Sequence, residues 1–198
     1  MGKIFYLIGK SCTGKDSIFN ILKKDEELCL VPVIRYTTRP IRDGETDGIG
    51  YHFVNCNEHD LHKAKGMIIE EQVYHTVHGD WYYYTADDGG IDLDAHSYLA
   101  TGVLESFAGT RDHFGMERVI PIYIELDDGE RLQRALNRER LPENGRYKEM
   151  CRRFLSDADD FSEERIKELG IPDEARFEND DLSICAERIK TWILKSIR

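Results

Sequence analysis

Apolar positions along this chain follow two rhythms. Ile4–Ile8 and Val119–Leu126 are apolar almost throughout, as strands covered on both faces tend to be. Ile18, Phe19, Ile21 and Leu22 instead recur at helical spacing ahead of Lys23 and Lys24. Further strands are expected at Leu28–Ile34, Tyr51–Val54, Met67–Glu71 and Trp81–Tyr84, the last as part of a packed strand pair, with a short helix over Glu58–Lys65. Tyr98–Glu105 reads as a buried strand closing on an acid. Arg131, Arg134 and Arg138 share a helical spacing. An acidic helix is expected from Arg152 to Leu169, stopped by Gly170, Ile171 and Pro172, then a strand and turn over Arg176–Leu182 and an amphipathic helix over Ser183–Arg198. Turns are expected at Ala86–Gly90 and Pro142–Gly145. No repeat or low-complexity linker interrupts the series. Strands alternating with helices predict an α/β fold with a parallel sheet.

The first strand runs into Gly9, Lys10, Ser11, Cys12, Thr13, Gly14, Lys15, Asp16 and Ser17. Strand, Gly-x-x-x-x-Gly-Lys and helix make a phosphate-binding loop. The glycines let backbone N–H groups converge on an anion, the new helix adds its unpaired donors and dipole, and Lys15 adds a mobile cation. Asp16 stands where a Ser or Thr usually ligates magnesium, with Ser17 next to it.

Charge narrows the partners. A net charge of −11 over 198 residues argues against a general nucleic-acid binder. Yet residues 130–153 hold seven arginines and one lysine against four glutamates, a surplus of four positive charges. The five cysteines are odd in number and form no Cys-x-x-Cys pair, which suggests reduced thiols; Cys12 reads as a small loop-filling residue. No apolar run is long enough to span a bilayer, and the first residues lack a secretory pattern, so the expected setting is cytoplasmic. His59 and His62 share a helix face without an evident third ligand, so they read as surface histidines.

Residues 36–54 set Arg39, Arg42, Glu45 and Tyr51 among turn residues. Paired guanidinium forks suit a phosphate, although a solvated loop with ordinary ion pairs would use the same residues. The sequence Thr37 to Glu45, followed by Gly48 and Tyr51–Val54, resembles the nucleotide-monophosphate signature of the guanylate kinases, and lies the expected short distance after a phosphate loop. The resemblance implies a P-loop three-layer fold: a core over 1–34, 91–127 and 157–198, a small β-rich acceptor domain over 35–90, and a helical lid over 128–156. It implies transfer of the γ-phosphoryl group of ATP to GMP with Mg²⁺.

Residue by residue, it gives ATP the loop Gly9–Ser17 and Asn179, and gives GMP Arg39, Arg42, Glu45, Tyr51, Glu70 (or Glu71) and Tyr82. Lys15, Arg42, Arg134, Arg138 and Arg153 would act on the transferred group. Asp16, Ser17 and Glu105 would serve the metal. Two departures are visible: Arg35 stands where the family commonly has a Ser touching guanine, and Tyr83 and Tyr84 fill the usual Gly and Ser/Thr positions after Val77–Tyr82. They leave open a kinase for another phosphorylated acceptor; a non-catalytic binding domain is the other alternative, against which the intact loop and the lid arginines stand.

Overall fold

The computed structural model describes residues 1–76, 79–141 and 145–197. Val77 and His78, and the Pro142–Asn144 part of the turn expected at 142–145, lie outside the described residues.

The core is a five-stranded parallel sheet. Its central strand β1 (Ile4–Ile8) is buried at every position. Strands β2 (Val31–Pro32), β7 (Tyr98–Gly102), β8 (Val119–Glu125) and β9 (Arg176–Glu178) complete it in the order β2-β7-β1-β8-β9. Parallel pairing runs Ile4 to both Tyr98 and Val119. Both faces are covered, which is why β1 reads as one apolar run. On one face Phe5, Leu7 and Ile122 pack with Ile18 and Leu22 of α1 (Lys15–Leu22) and with Ile189 and Ile193 of α7 (Leu182–Ile197). On the other, Ile4, Tyr6 and Ile8 pack with Leu104 and Phe107 of α3 (Leu104–Phe114) and with Ile166 of α6 (Glu163–Glu168).

A second, four-stranded sheet has the order β4-β3-β6-β5, from β3 (Arg35–Thr37), β4 (Tyr51–Phe53), β5 (Ile68–Thr76) and β6 (Gly79–Ala86). Helix α2 (Cys56–Ala64) covers one face, and is started by a capping box in which the Asn55 side chain and Glu58 satisfy each other's backbone N–H. The arginine-rich segment forms α4 (Asp128–Glu139) and the start of α5 (Tyr147–Asp160). The α/β reading is borne out.

Three expected elements differ. The strand from Tyr98 ends at Gly102, and Glu105 lies in the first turn of α3, because Val103 is already the N-cap of an eleven-residue helix. The helix expected over Arg152–Leu169 is two helices, broken at Phe161, which is buried, and Ser162, whose hydroxyl caps α6 by accepting from Arg165 N–H. Of Leu28–Ile34 only Val31–Pro32 pairs with the core, while Arg35–Thr37 joins the second sheet.

Candidate active site

The phosphate loop turns between β1 and α1. Gly14 caps α1 at φ 89, and a Cβ there would stand 2.3 Å from Asn179 Nδ2. Only glycine accepts both the left-handed backbone and that contact. Cys12 also has positive φ, at 65. Asn179 is fully buried beneath the loop and its Nδ2 donates to the Thr13 carbonyl at 2.6 Å. It therefore props the loop from beneath. Thr13 turns its own hydroxyl onto the Lys10 carbonyl at 2.9 Å.

The basic segment reaches the same loop. Arg131, 1% exposed, donates from Nε to the Ser11 carbonyl (3.0 Å) and from Nη2 to Asp157 (2.7 Å), pairs through Nη1 with Asp128, and lies over the Phe154 ring. Asp157 in turn accepts from the Ser11 N–H at 2.8 Å. Arg134 donates to the Asn179 carbonyl at 3.1 Å, and its Nη1 would lie 3.6 Å from a Cβ on Gly14. Arg138 is exposed and contacts Glu139, and Arg153 is held by Glu149 at 2.9 Å. The sequence marks Arg131 only by its helical spacing with Arg134 and Arg138 in the basic segment, and gives neither it nor Asp157 a place in the site.

A second cationic cluster lies beside the small sheet, in the turn between β3 and β4. Arg39, nearly fully buried, forms a two-pronged pair with Glu45 at 2.8 Å on each arm and lies over the rings of Tyr51 and Phe53. The Arg42 N–H donates to the same carboxylate at 2.8 Å, leaving the exposed Arg42 side chain at the rim. The hydrogen bond from Arg39 pulls the Glu45 carboxyl down to about 2. Burial pushes the Tyr51 hydroxyl up; Arg35 opposes this, while Tyr83 and the Asp16 carboxylate of the phosphate loop add to it. Tyr51 thus lies within electrostatic reach of the loop. Tyr74 on β5 likewise feels Arg35, Tyr83 and Arg153, after burial, which raises it. The basic helix is bonded to the phosphate loop through Arg131 and Arg134, and the Arg39 cluster stands within electrostatic reach of Asp16 in that loop.

The Glu45 pair sets a pH window. Its folded pKa lies below the ordinary carboxylate value of 4.5, so the stability it lends is complete above about pH 4.5 and is lost as pH falls toward 2. Acid titration of stability should lose part of its slope in that window on Glu45→Gln substitution. An unchanged slope would show that the pair lends none.

Other expected site residues fall elsewhere. Tyr82 points to the α2 face, its ring stacked on His59 at 4.2 Å, whereas Tyr83 faces the other side of the sheet, edge-on to Tyr51 at 5.5 Å and to Tyr74 at 5.2 Å. Glu70 faces the core side, where its carboxylate takes Arg35 Nε (3.1 Å), Arg35 Nη2 (2.9 Å) and the Thr85 hydroxyl (2.6 Å). Glu71 faces α2 and binds Lys63 at 2.9 Å and His59. His59 is buried, not the surface histidine its polarity predicts, and His62 meets the Tyr84 hydroxyl at 3.0 Å. Glu105 is paired with Arg165 of α6 and is not brought beside Asp16.

For a metal, Asp16 and Ser17 are exposed in the first turn of α1, with Lys15 Nζ 3.2 Å from Asp16 Oδ1. No cluster of three or more His, Cys, Asp or Glu suited to a metal occurs among the described residues. That donor set fits Mg²⁺, which takes one or two protein oxygens and completes its shell with water and substrate phosphates. No described helix is long and apolar enough to cross a membrane.

Comparison with known proteins bears out the resemblance. Residues 1–86 match the guanylate kinase family model. A guanylate kinase of Mannheimia succiniciproducens is 34% identical over 86 residues, covering 43% of this chain and 40% of that protein. Those of Sulfurimonas denitrificans and Neisseria gonorrhoeae are 38% and 36% identical over 81 and 97 residues, or 41% and 49% of this chain and 37% and 45% of theirs. The chain spans less than half the length of these relatives. The crystal structure of guanylate kinase from Anaplasma phagocytophilum has the same fold, with a TM-score of 0.64 at 22% identity over 98% of this chain and 85% of the other.

Proposed function

We propose that this chain, which has the guanylate kinase fold and matches that family over residues 1–86, transfers the γ-phosphoryl group of ATP to GMP, giving ADP and GDP in the cytoplasm. The observation that carries the reading is Arg134 standing on the phosphate loop beside Gly14, with the Arg39–Glu45–Tyr51 cluster within electrostatic reach of the same loop through Tyr51 and Asp16. The small sheet with its helix (35–90) and the basic helices (128–156) act as two bodies that close on a core.

The loop N–H groups and Lys15 hold the donor phosphates. Arg42 presents its planar fork to the acceptor phosphate, Arg39, its own fork held by Glu45, adds positive charge behind it, and Tyr51 and Tyr83, rather than Tyr82, contribute hydroxyls from the face opposite α2. Arg134, Arg138 and Arg153 neutralise charge on the transferred group. Mg²⁺ held by Asp16 and Ser17 with the donor phosphates would supply further charge neutralisation. Positioning and electrostatics carry such a transfer, so no general base is required. Closure excludes water and suppresses hydrolysis of ATP.

A coupled assay of ADP release with GMP, dGMP, AMP, UMP and CMP tests the reading. GMP turnover well above AMP is expected; equal rates overturn the guanine assignment, and ATP binding without turnover on any acceptor favours a binding domain.

Asp16 makes a separate prediction. Without metal, its carboxylate beside Lys15 repels donor phosphates; with Mg²⁺ it becomes a ligand, directly or through water. ATP affinity should therefore depend more steeply on Mg²⁺ than in Asp16→Ser, as read by calorimetric titration with and without the metal. Equal dependence in both proteins removes Asp16 from the metal's shell.

A further inference from the structure

We infer that Asp157 of α5 is a positioning residue for the donor nucleotide: with Arg131 of α4 it sets two consecutive peptide planes of the phosphate loop and so aims the Cys12 N–H at the donor phosphates. The inference rests on the ATP half of the reading above and is independent of the acceptor.

A phosphate loop works by turning successive backbone N–H groups toward one anion. The Ser11 N–H is turned elsewhere. It donates to Asp157 Oδ2 at 2.8 Å, and the Ser11 carbonyl accepts from Arg131 Nε at 3.0 Å. Asp157 and Arg131 are themselves paired at 2.7 Å, so both groups of Ser11 point to one side, toward the basic helices. In a trans peptide the N–H and the C=O point in opposite directions. Holding the Ser11 N–H outward therefore turns the Lys10 carbonyl inward, where it accepts from the Thr13 hydroxyl at 2.9 Å and the Thr13 N–H at 3.4 Å. Holding the Ser11 carbonyl outward turns the Cys12 N–H inward by the same rule. Among the described residues the N–H groups of Cys12, Gly14, Lys15 and Asp16 make no hydrogen bond, which leaves them for an anion. Cys12 reaches this orientation with a left-handed backbone, φ 65, that a residue with a Cβ rarely adopts. The grip on Ser11 supplies the restraint.

The network does this without adding net charge beside the phosphates. Asp157 and Asp128 are matched by Arg131 and by Lys10, whose Nζ lies 3.6 Å from Asp128. The same two helices carry Arg134, Arg138 and Arg153. One contact thus sets the loop and the arginines of the transfer in register.

The test reads ATP binding by calorimetry without acceptor, and GMP turnover separately. Asp157→Ala should weaken ATP binding roughly 10–100-fold, the worth of a hydrogen bond to a charged group, while KM for GMP moves little. Asp157→Asn, which keeps an oxygen for the Ser11 N–H and for Arg131, should recover most of that affinity. In the unaltered protein, amide hydrogen exchange should find the Ser11 N–H protected with or without ATP, and the Cys12 N–H protected only when ATP is bound. Parental ATP affinity in Asp157→Ala, with only a lower Tm, makes Asp157 a structural contact and overturns the inference. So does an Asp157→Asn variant that binds ATP no better than Asp157→Ala, or a Ser11 N–H that exchanges freely before ATP is added. The expected pattern of ATP binding without turnover of GMP upholds the inference and overturns the acceptor reading alone. The exchange measurement needs no substitution, so a variant that fails to fold does not decide the outcome.

Discussion

Arg134→Ala should lower kcat by about 10³–10⁵-fold, the range found for arginines that neutralise charge in phosphoryl transfer, while leaving the KM for GMP nearly unchanged. The guanidinium already stands at the phosphate loop, beside Gly14 and on the Asn179 carbonyl, so little movement separates it from the transferred group. An interaction made only in the transition state lowers kcat and kcat/KM together. Arg138→Ala should show the same signature, although its side chain must first leave Glu139. Steady-state kinetics decide: if Arg134→Ala raises only the KM for ATP, the residue binds ground state and transition state alike and is not part of the chemistry.

Arg131→Ala should cost the fold about 3–5 kcal/mol, as breaking a buried ion pair does, or roughly 6–20 °C in Tm for a chain of this size. Arg131 links the Ser11 carbonyl, Asp128 and Asp157, with Phe154 beneath it. Its loss leaves Asp157, itself only 13% exposed, as an uncompensated charge beside the phosphate loop. Adding Asp128→Asn and Asp157→Asn should recover part of the loss, because the amide oxygen of residue 157 still serves the Ser11 N–H and no unpaired carboxylate remains. Thermal melts of the single and triple variants check this. A single variant within about 0.5 kcal/mol of the parent, the ordinary range for surface substitutions, would mean that Arg131 is solvated in solution.

The sequence by itself determined those features that depend on neighbours along the chain. Gly9 to Lys15 is a local backbone conformation, and Gly14 takes the positive φ that its motif requires. Arg39 and Glu45 are six residues apart and pair within one loop. The almost wholly apolar β1 and β8 announced a sheet covered on both faces. Tertiary structure alone decided which face each side chain of the second sheet presents. Neighbours along a strand point to opposite faces, so Tyr82 and Tyr83, like Glu70 and Glu71, had to part; the seating of α2 with His59 decided that Tyr82 and Glu71 face the helix, and Tyr83 and Glu70 the other side. Charge pairing across long separations was equally hidden. Arg35 meets Glu70 across 35 residues, Arg131 meets Ser11 across 120, and Asn179 meets Thr13 across 166. Each polar group had many possible partners in the chain, and only the packing of α3, α4 and β9 against the loop and the small sheet selected one.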